Sequence, residues 1–289
     1  MITDRDIRVL ETVARYYVLN RAQIQRLCFS SDREGRVTRR HIGALVSAGL
    51  LGRTQVQVVV PGSGSTAPVY FPSRKGCEFL AQETRDERYL LTPTQTPHAQ
   101  RIFHWLAVSE THITLDAALA RHSEIRCDGW LSEWDVANKD ETQPEKRYRV
   151  YTLIQDKPRL ICAPDAAFLL TVDGHSKVHY LEQDRDTSGA WQLAASKTPG
   201  YAALAERSLH RRHFPEATVE SFAVLMIAPS ERRRDALKQA ISEKPGAALW
   251  RFASASELTP EAFLSAPVWH RCVGDPGPLI KPKKVEVAS

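Results

Sequence analysis

Four carboxylates, Asp165, Glu182, Asp184 and Asp186, lie in or just after one short stretch, RLICAPDAAFLLTVDGHSKVHYLEQDRDT, from Arg159 to Thr187. Oxygen ligands gathered in this way suit a hard divalent cation, Mg²⁺ in the first instance. Whether they gather depends on the elements that carry them. Arg159 to Cys162 and Ala166 to Val172 are apolar and β-prone, Asp173-Gly174 is a turn signal, and Lys177 to Leu181 returns as a second strand. Pairing Val172 roughly with Lys177 sets Asp165 almost opposite Asp184, with Glu182 one pleat away. Glu182 and Asp184 are two residues apart and so share a face of the strand. Acids crowded at the end of a buried hairpin repel one another unless a cation neutralises them or water reaches them. The second condition makes them no more than a solvated strand end, and spacing alone does not choose between the two.

The gross numbers bound the setting. A chain of 289 residues accommodates two domains with real cores. No apolar run reaches the ~18 to 20 residues of a membrane span, and the mixed-charge start, MITDRDIRVLETV, is unlike a signal peptide. The five cysteines are scattered singly, which argues against a zinc cluster or a disulfide framework and makes a reducing cytoplasm the default. A net charge of +5 permits a nucleic-acid partner without demanding one.

The first 88 residues read as a winged helix. Thr3 caps a helix in which Ile7, Leu10, Val13, Ala14 and Tyr17 recur at helical spacing. Asn20 caps a second helix, Arg21 to Phe29, and Arg36 to Ala48 forms a third, with Ile42, Leu45 and Val46 inward. Gln55 to Val60 and Val69 to Phe71 flank the tip PGSGSTAP, and Ser73 caps a further helix. Three helices followed by a two-stranded ribbon is the order in which the third helix enters the major groove of double-stranded DNA. Its outer side carries Arg36, Arg39, Arg40 and His41, and Arg53 and Arg74 at either end of the ribbon add phosphate contacts. A solvated basic face, or a module that docks a protein, is the other reading of the same residues. One winged helix reads few bases, so a homodimer is a natural arrangement, although no stretch forms a clear dimer seam.

Residues 89–99 read as a Thr- and Pro-rich linker, 100–272 as a second domain and 273–289 as a flexible tail. In the second domain a helix covers His98 to Arg121 and a strand Ile125 to Val136. Arg147 to Ile154 and Arg159 to Val172 then enter the sheet. A helix follows over Trp191 to His210, then an apolar strand, Val219 to Ile227, and a helix from Ser230 whose ERRRDALK start is a basic surface.

Pro-Asp, a hydrophobic hairpin and then Glu-x-Asp resembles the core of PD-(D/E)XK nuclease-like proteins, in which Pro-Asp precedes Glu-x-Lys. The fuller runs PDAAFLL and LEQDRDT look more closely like the replication-relaxation family, DNA-associated proteins of plasmids and other mobile elements, with Asp186 standing where that family's pattern has glycine. The resemblance implies an α+β chain: an N-terminal winged helix-turn-helix, then an α/β nuclease-like domain with a mixed central sheet. It also implies a site in which Asp165 and Glu182 hold Mg²⁺ for nicking or cleaving DNA. The lysine expected two residues after the glutamate is here Asp184, which argues against activity. Asp184 as a third ligand, or Lys197 supplying the ammonium, would restore it. The family favours a lysine followed by a tyrosine one turn later, which Lys197 and Tyr201 match, but Pro199-Gly200 between them is expected to break or kink the helix. Glu110, on the first helix of the second domain, is a further candidate by the same analogy. The alternative function is a non-catalytic DNA-binding regulator of replication or transcription, its nuclease-like domain serving dimerisation.

Overall fold

The computed structural model describes residues 2–55 and 67–281. The chain divides into two compact units, one of Met1–Ile113 with Trp134–Lys139, the other of Thr114–Glu133 with Asp140–Ser289.

The first unit opens with α1, Asp4–Tyr16, where Thr3 and Asp6 form a reciprocal capping box. Val9, Leu10, Val13 and Tyr16 fall at helical spacing and are buried. A two-residue strand, β1 (Leu19–Asn20), leads into α2 (Arg21–Cys28), capped by Asn20 with Gln23. The third helix, α3 (Arg36–Ser47), starts after Gly35, whose φ of 67° needs glycine, and buries Thr38, Ile42 and Leu45. Two further strands, β2 (Leu51–Thr54) and β3 (Val69–Pro72), pair antiparallel, and β1 adds to the other side of β3, giving the order β1-β3-β2. The expected strand to Val60 and most of the PGSGSTAP tip lie outside the described residues. Then come α4 (Arg74–Thr84), capped by Ser73, a short 3-10 helix at Glu87–Leu91, and α5 (Ala99–Leu119). The first compact unit thus runs past residue 88: Tyr89 and Ile113 pack on the same core as Val9 and Leu45.

The second unit is built on a mixed five-stranded sheet. Its elements are β4 (Ile125–Ser132), the single turn α6 (Pro144–Arg147), β5 (Thr152–Gln155), β6 (Leu160–Cys162), β7 (Ala166–Val172), β8 (His175–Gln183), α7 (Ala190–Glu206), β9 (Ala223–Ala228), α8 (Glu231–Ser242) and β10 (Trp250–Ser254). The sheet order is β10-β9-β8-β7-β4. Strands β4, β7 and β8 run antiparallel in turn, while β8, β9 and β10 are parallel, so α7 and α8 are the crossovers between parallel neighbours. Val178, Tyr180, Val224, Met226, Trp250 and Phe252 form one core with α7 and α8.

Three expectations about the sheet and α7 change. First, among the described residues β5 and β6 pair only with each other, and the sheet strand begins after Pro164, which has no N–H to give a ladder. Second, the hairpin register is two residues tighter: Val172 pairs with His175 and Ala166 with Leu181. Asp173 (φ 50°) and Gly174 (φ 79°) both take positive φ, as a two-residue hairpin turn demands. Asp165 therefore stands beside Glu182, not Asp184. Third, helix α7 runs unbroken through Pro199. The chain after residue 273 is also bonded in as far as Ile280, through a Trp269–Gly277 bridge and a hydrogen bond from Ile280 N to Leu264 O.

Candidate functional site

In the second unit the end of the β7–β8 hairpin brings two carboxylates together. Asp165 N donates to Leu181 O at 3.0 Å, and Gln183 N donates to Asp165 Oδ2 at 2.7 Å, which folds the Asp165 carboxylate over the end of β8. Glu182, on β8, points toward α7. There Lys197 Nζ lies 2.7 Å from its Oε2 and 2.9 Å from its Oε1, and Tyr201 OH donates to Oε1 at 2.6 Å. Lys197 also donates to Ala163 O at 3.1 Å.

The expected break at Pro199-Gly200 does not occur, for a local reason. Proline removes one backbone donor, but its ring stands at an exposed position. Gly200 lets the helix lie on β6: a Cβ there would meet Ile161 O at 2.3 Å. With the helix intact, Lys197 and Tyr201 are one turn apart on one face.

Burial dominates the electrostatics. Glu182 is 4% exposed and Asp165 8%, while the Lys197 side chain, at 31%, is the member nearest solvent. Burial first, then the Asp165 charge, pushes Glu182 up to about 7, against the opposing pull of Lys197 and Tyr201. Burial alone would lower Lys197, yet the facing Glu182 and Asp165 raise it on balance. The two pulls conflict. The short double contact decides for an ammonium facing a carboxylate, since a neutral acid would leave Lys197 buried with no counter-charge on Glu182.

Asp184 joins a different cluster. The strand ladder ends at Gln183, Asp184 N donates to Ile227 O, and the Asp184 side chain meets α8. Arg233 Nε donates to its Oδ2 at 2.8 Å and Nη2 to its Oδ1 at 3.1 Å. The same guanidinium reaches Ser188 O at 2.7 Å and Asp186 Oδ1 at 3.0 Å. Arg233 and Arg234, expected on a basic surface, are both buried, Arg234 against Asp235 and Glu257. Sequence reasoning passed over Arg233, although its spacing held the signal: Arg233 and Arg234 precede Leu237, Ala240 and Ile241 on the inward face.

In the first unit, Arg36, Arg39 and Arg40 are exposed on α3, and that face continues through Gly43, Ala44 and Ser47. Arg53 is exposed on β2, and Arg74 is exposed beside Glu78 at 2.8 Å. His41 is turned inward: its Nδ1 lies 2.7 Å from Asp6 Oδ1, tying α3 to the capping box of α1. Glu110 is held within this unit by Arg26, at 2.7 Å, and by Gln23.

A family model described as replication-relaxation matches residues 10–216, more than half of the chain. The chain belongs to the replication-relaxation family. No protein of curated function and no solved structure matches it. The matched span takes in Asp165, Glu182, Asp184, Lys197 and Tyr201 and stops short of β9, so the Arg233 partner of Asp184 lies beyond it. Among the described residues no helix is long and apolar enough to cross a membrane.

Proposed function

We propose that this member of the replication-relaxation family is a cytoplasmic DNA-binding protein of plasmid or mobile-element replication. In this reading the first unit is a winged helix that grips double-stranded DNA, and the second is a PD-(D/E)XK-like unit that nicks or cleaves a phosphodiester. Three helices interrupted only by the short β1 and followed by the β2–β3 ribbon, with the sheet order β1-β3-β2, support the first part, with Arg36, Arg39 and Arg40 toward the major groove and Arg53 and Arg74 on phosphates. The observation that carries the second is Lys197 seated on Glu182 beside Asp165. An ammonium from α7 stands in for the lysine that β8 lacks.

Asp165 and Glu182, adjacent hard-oxygen donors that raise one another's energy when both are ionised, fit Mg²⁺. When bound, Mg²⁺ supplies Lewis acidity at the scissile phosphate and lowers the pKa of an attacking water. Lys197 keeps its proton and offsets charge at the site, and Tyr201 holds the Glu182 carboxylate in one orientation. Asp184, with both oxygens on Arg233, serves the scaffold of the β8–α7 connection in this reading.

The test is nicking of supercoiled plasmid in Mg²⁺, Mn²⁺ and EDTA, with Asp165→Ala, Glu182→Ala and Lys197→Ala. Metal-dependent nicking lost in all three variants is the expected result. One observation favours a second reading: Glu182 and Asp184 already have protein partners, as in a non-catalytic regulator whose second unit pairs with a second copy. DNA binding without nicking under any metal, by a protein of dimer mass, would select that reading.

A further inference from the structure

Away from the Asp165–Glu182 end of the hairpin, three cations gather without acidic partners among the described residues. Phe252 and His270 form an antiparallel bridge, with N–H···O bonds of 2.9 and 2.8 Å in the two directions. The next residues along the two segments are Arg251 and Arg271. Residues beside a doubly bonded antiparallel pair oppose one another closely, and like charges so placed repel. Lys177, near the start of β8, is the third. On β8 it shares a face with His179 and Leu181, and the register runs Leu181 to Leu225 to Arg251 across β9. Lys177 and Arg251 therefore belong to one face of the sheet. That is the face opposite Tyr180 and Glu182.

All three side chains are partly buried. Arg251 Nη1 donates to Ala248 O and Trp250 O, while Arg271 Nε is buried with no hydrogen-bond partner among the described residues, its guanidinium lying against Gly277. No carboxylate of the described residues pairs with any of the three. Burial and then the neighbouring Arg251 and Arg271 lower Lys177, and burial and then Arg271 lower Arg251.

Half-buried like charges are costly without an opposite charge. We propose that Lys177, Arg251 and Arg271 form an anion site for a phosphate group, separate from the Asp165–Glu182 site and independent of whether that site is catalytic. Phosphate suits the cluster better than a halide. It carries up to two charges and several acceptor oxygens, and two guanidinium forks with one ammonium present matching donors. The phosphate comes either from a nucleic-acid backbone or from a free phosphate.

Two measurements distinguish these sources. Thermal melts of the full chain in sodium phosphate and in sodium chloride at matched ionic strength are compared for wild type, Lys177→Met and Arg271→Gln. Phosphate is expected to raise the wild-type melting temperature. Both variants are expected to melt above wild type in chloride, where repulsion is relieved, and to lose the phosphate-specific rise. Binding of a labelled duplex over a salt series is the second arm. If the backbone is the ligand, each variant makes the slope of log K against log salt shallower by about 0.9. If the phosphate-specific rise is lost and the slope stays, the ligand is a free phosphate. The proposal is overturned if wild type melts alike in both salts and the slope is unchanged in both variants. Variants that melt below wild type in chloride yet keep the phosphate rise overturn it equally. A protein that bound no DNA would sink the functional reading above and leave the melting arm to decide this one.

Discussion

At the scale of single residues, Glu182 and His179 represent two ways of burying an ionisable side chain. Glu182 is matched: an ammonium and a phenol hold its carboxylate. Breaking a buried pair by removing one partner leaves an uncompensated charge, at a cost of about 3–5 kcal/mol. Lys197→Met is expected to lose an amount near the lower end of that range, because Lys197 is nearly a third exposed. Tyr201→Phe is expected to lose less, about 1.5–3 kcal/mol for a hydrogen bond to a charged group. Urea unfolding measures both, and an unchanged midpoint in Lys197→Met would mean that Glu182 is neutral in the fold. His179, buried against Phe168 with the rings stacked 5.3 Å apart, is held neutral instead. Burial and then the Lys177 charge push it down from 6.5 to about 3. Its folded value lies below its unfolded value, so as pH falls through 6.5 the unfolded chain takes up the proton first. The stability this group contributes is complete above about pH 6.5 and is lost progressively toward pH 3. His179→Phe keeps the stack and removes the titration. Its stability is expected to fall less steeply than wild type between pH 6 and 4, by on the order of a few kcal/mol.

At the scale of elements, α7 is what assembles the candidate site, and its two helix-unfriendly residues have opposite standing. Gly200 is required by contact, since a side chain would run into the Ile161 carbonyl. Gly200→Ala is expected to cost about 1–3 kcal/mol as overpacking and to loosen Lys197 and Tyr201 from Glu182. Pro199 is exposed and interior to the helix, where an alanine would recover a backbone hydrogen bond. Pro199→Ala is expected to raise the melting temperature and leave the Lys197–Glu182 contact intact. Paired thermal melts of the two variants check this, and equal losses in both would mean the helix tolerates neither change for a reason other than the Ile161 contact. The β7–β8 hairpin also belongs to this scale. Its turn was legible in Asp173-Gly174, but its register was not, because β7 is apolar almost throughout and β8 buries polar and apolar residues alike, so neither offers an alternation to count against.

At the scale of the whole molecule, the two units carry different expectations about DNA. If the first unit grips the duplex, Arg36→Ala/Arg40→Ala weakens binding by about 1–3 kcal/mol per lost base contact, and Arg53→Ala/Arg74→Ala makes the salt slope shallower by about 1.8, two phosphate contacts' worth. His41→Ala behaves differently, because His41 braces α3 against Asp6 instead of facing outward. It is expected to lower the melting temperature while leaving the salt slope near wild type. Anisotropy titrations of one duplex at several salt concentrations separate the two, and a slope changed by His41→Ala alone would reverse their roles.

Residue order determined a good deal of this protein by itself. The caps at Thr3, Asn20, Ser73 and Ser230, the helical spacing of α1 and α3, the Asp173-Gly174 turn and the family resemblance at Pro164-Asp165 and Glu182 all rest on neighbours within a few positions. Tertiary structure decided which charges meet. It set Asp165 beside Glu182, gave Asp184 to Arg233, turned His41 toward Asp6, kept α7 whole through Pro199, and left Lys177, Arg251 and Arg271 together without acids among the described residues. Those partners lie tens of residues apart along the chain. Each choice was made by strand register or by a helix face packing on a sheet or on another helix, and none of these can be read from local spacing.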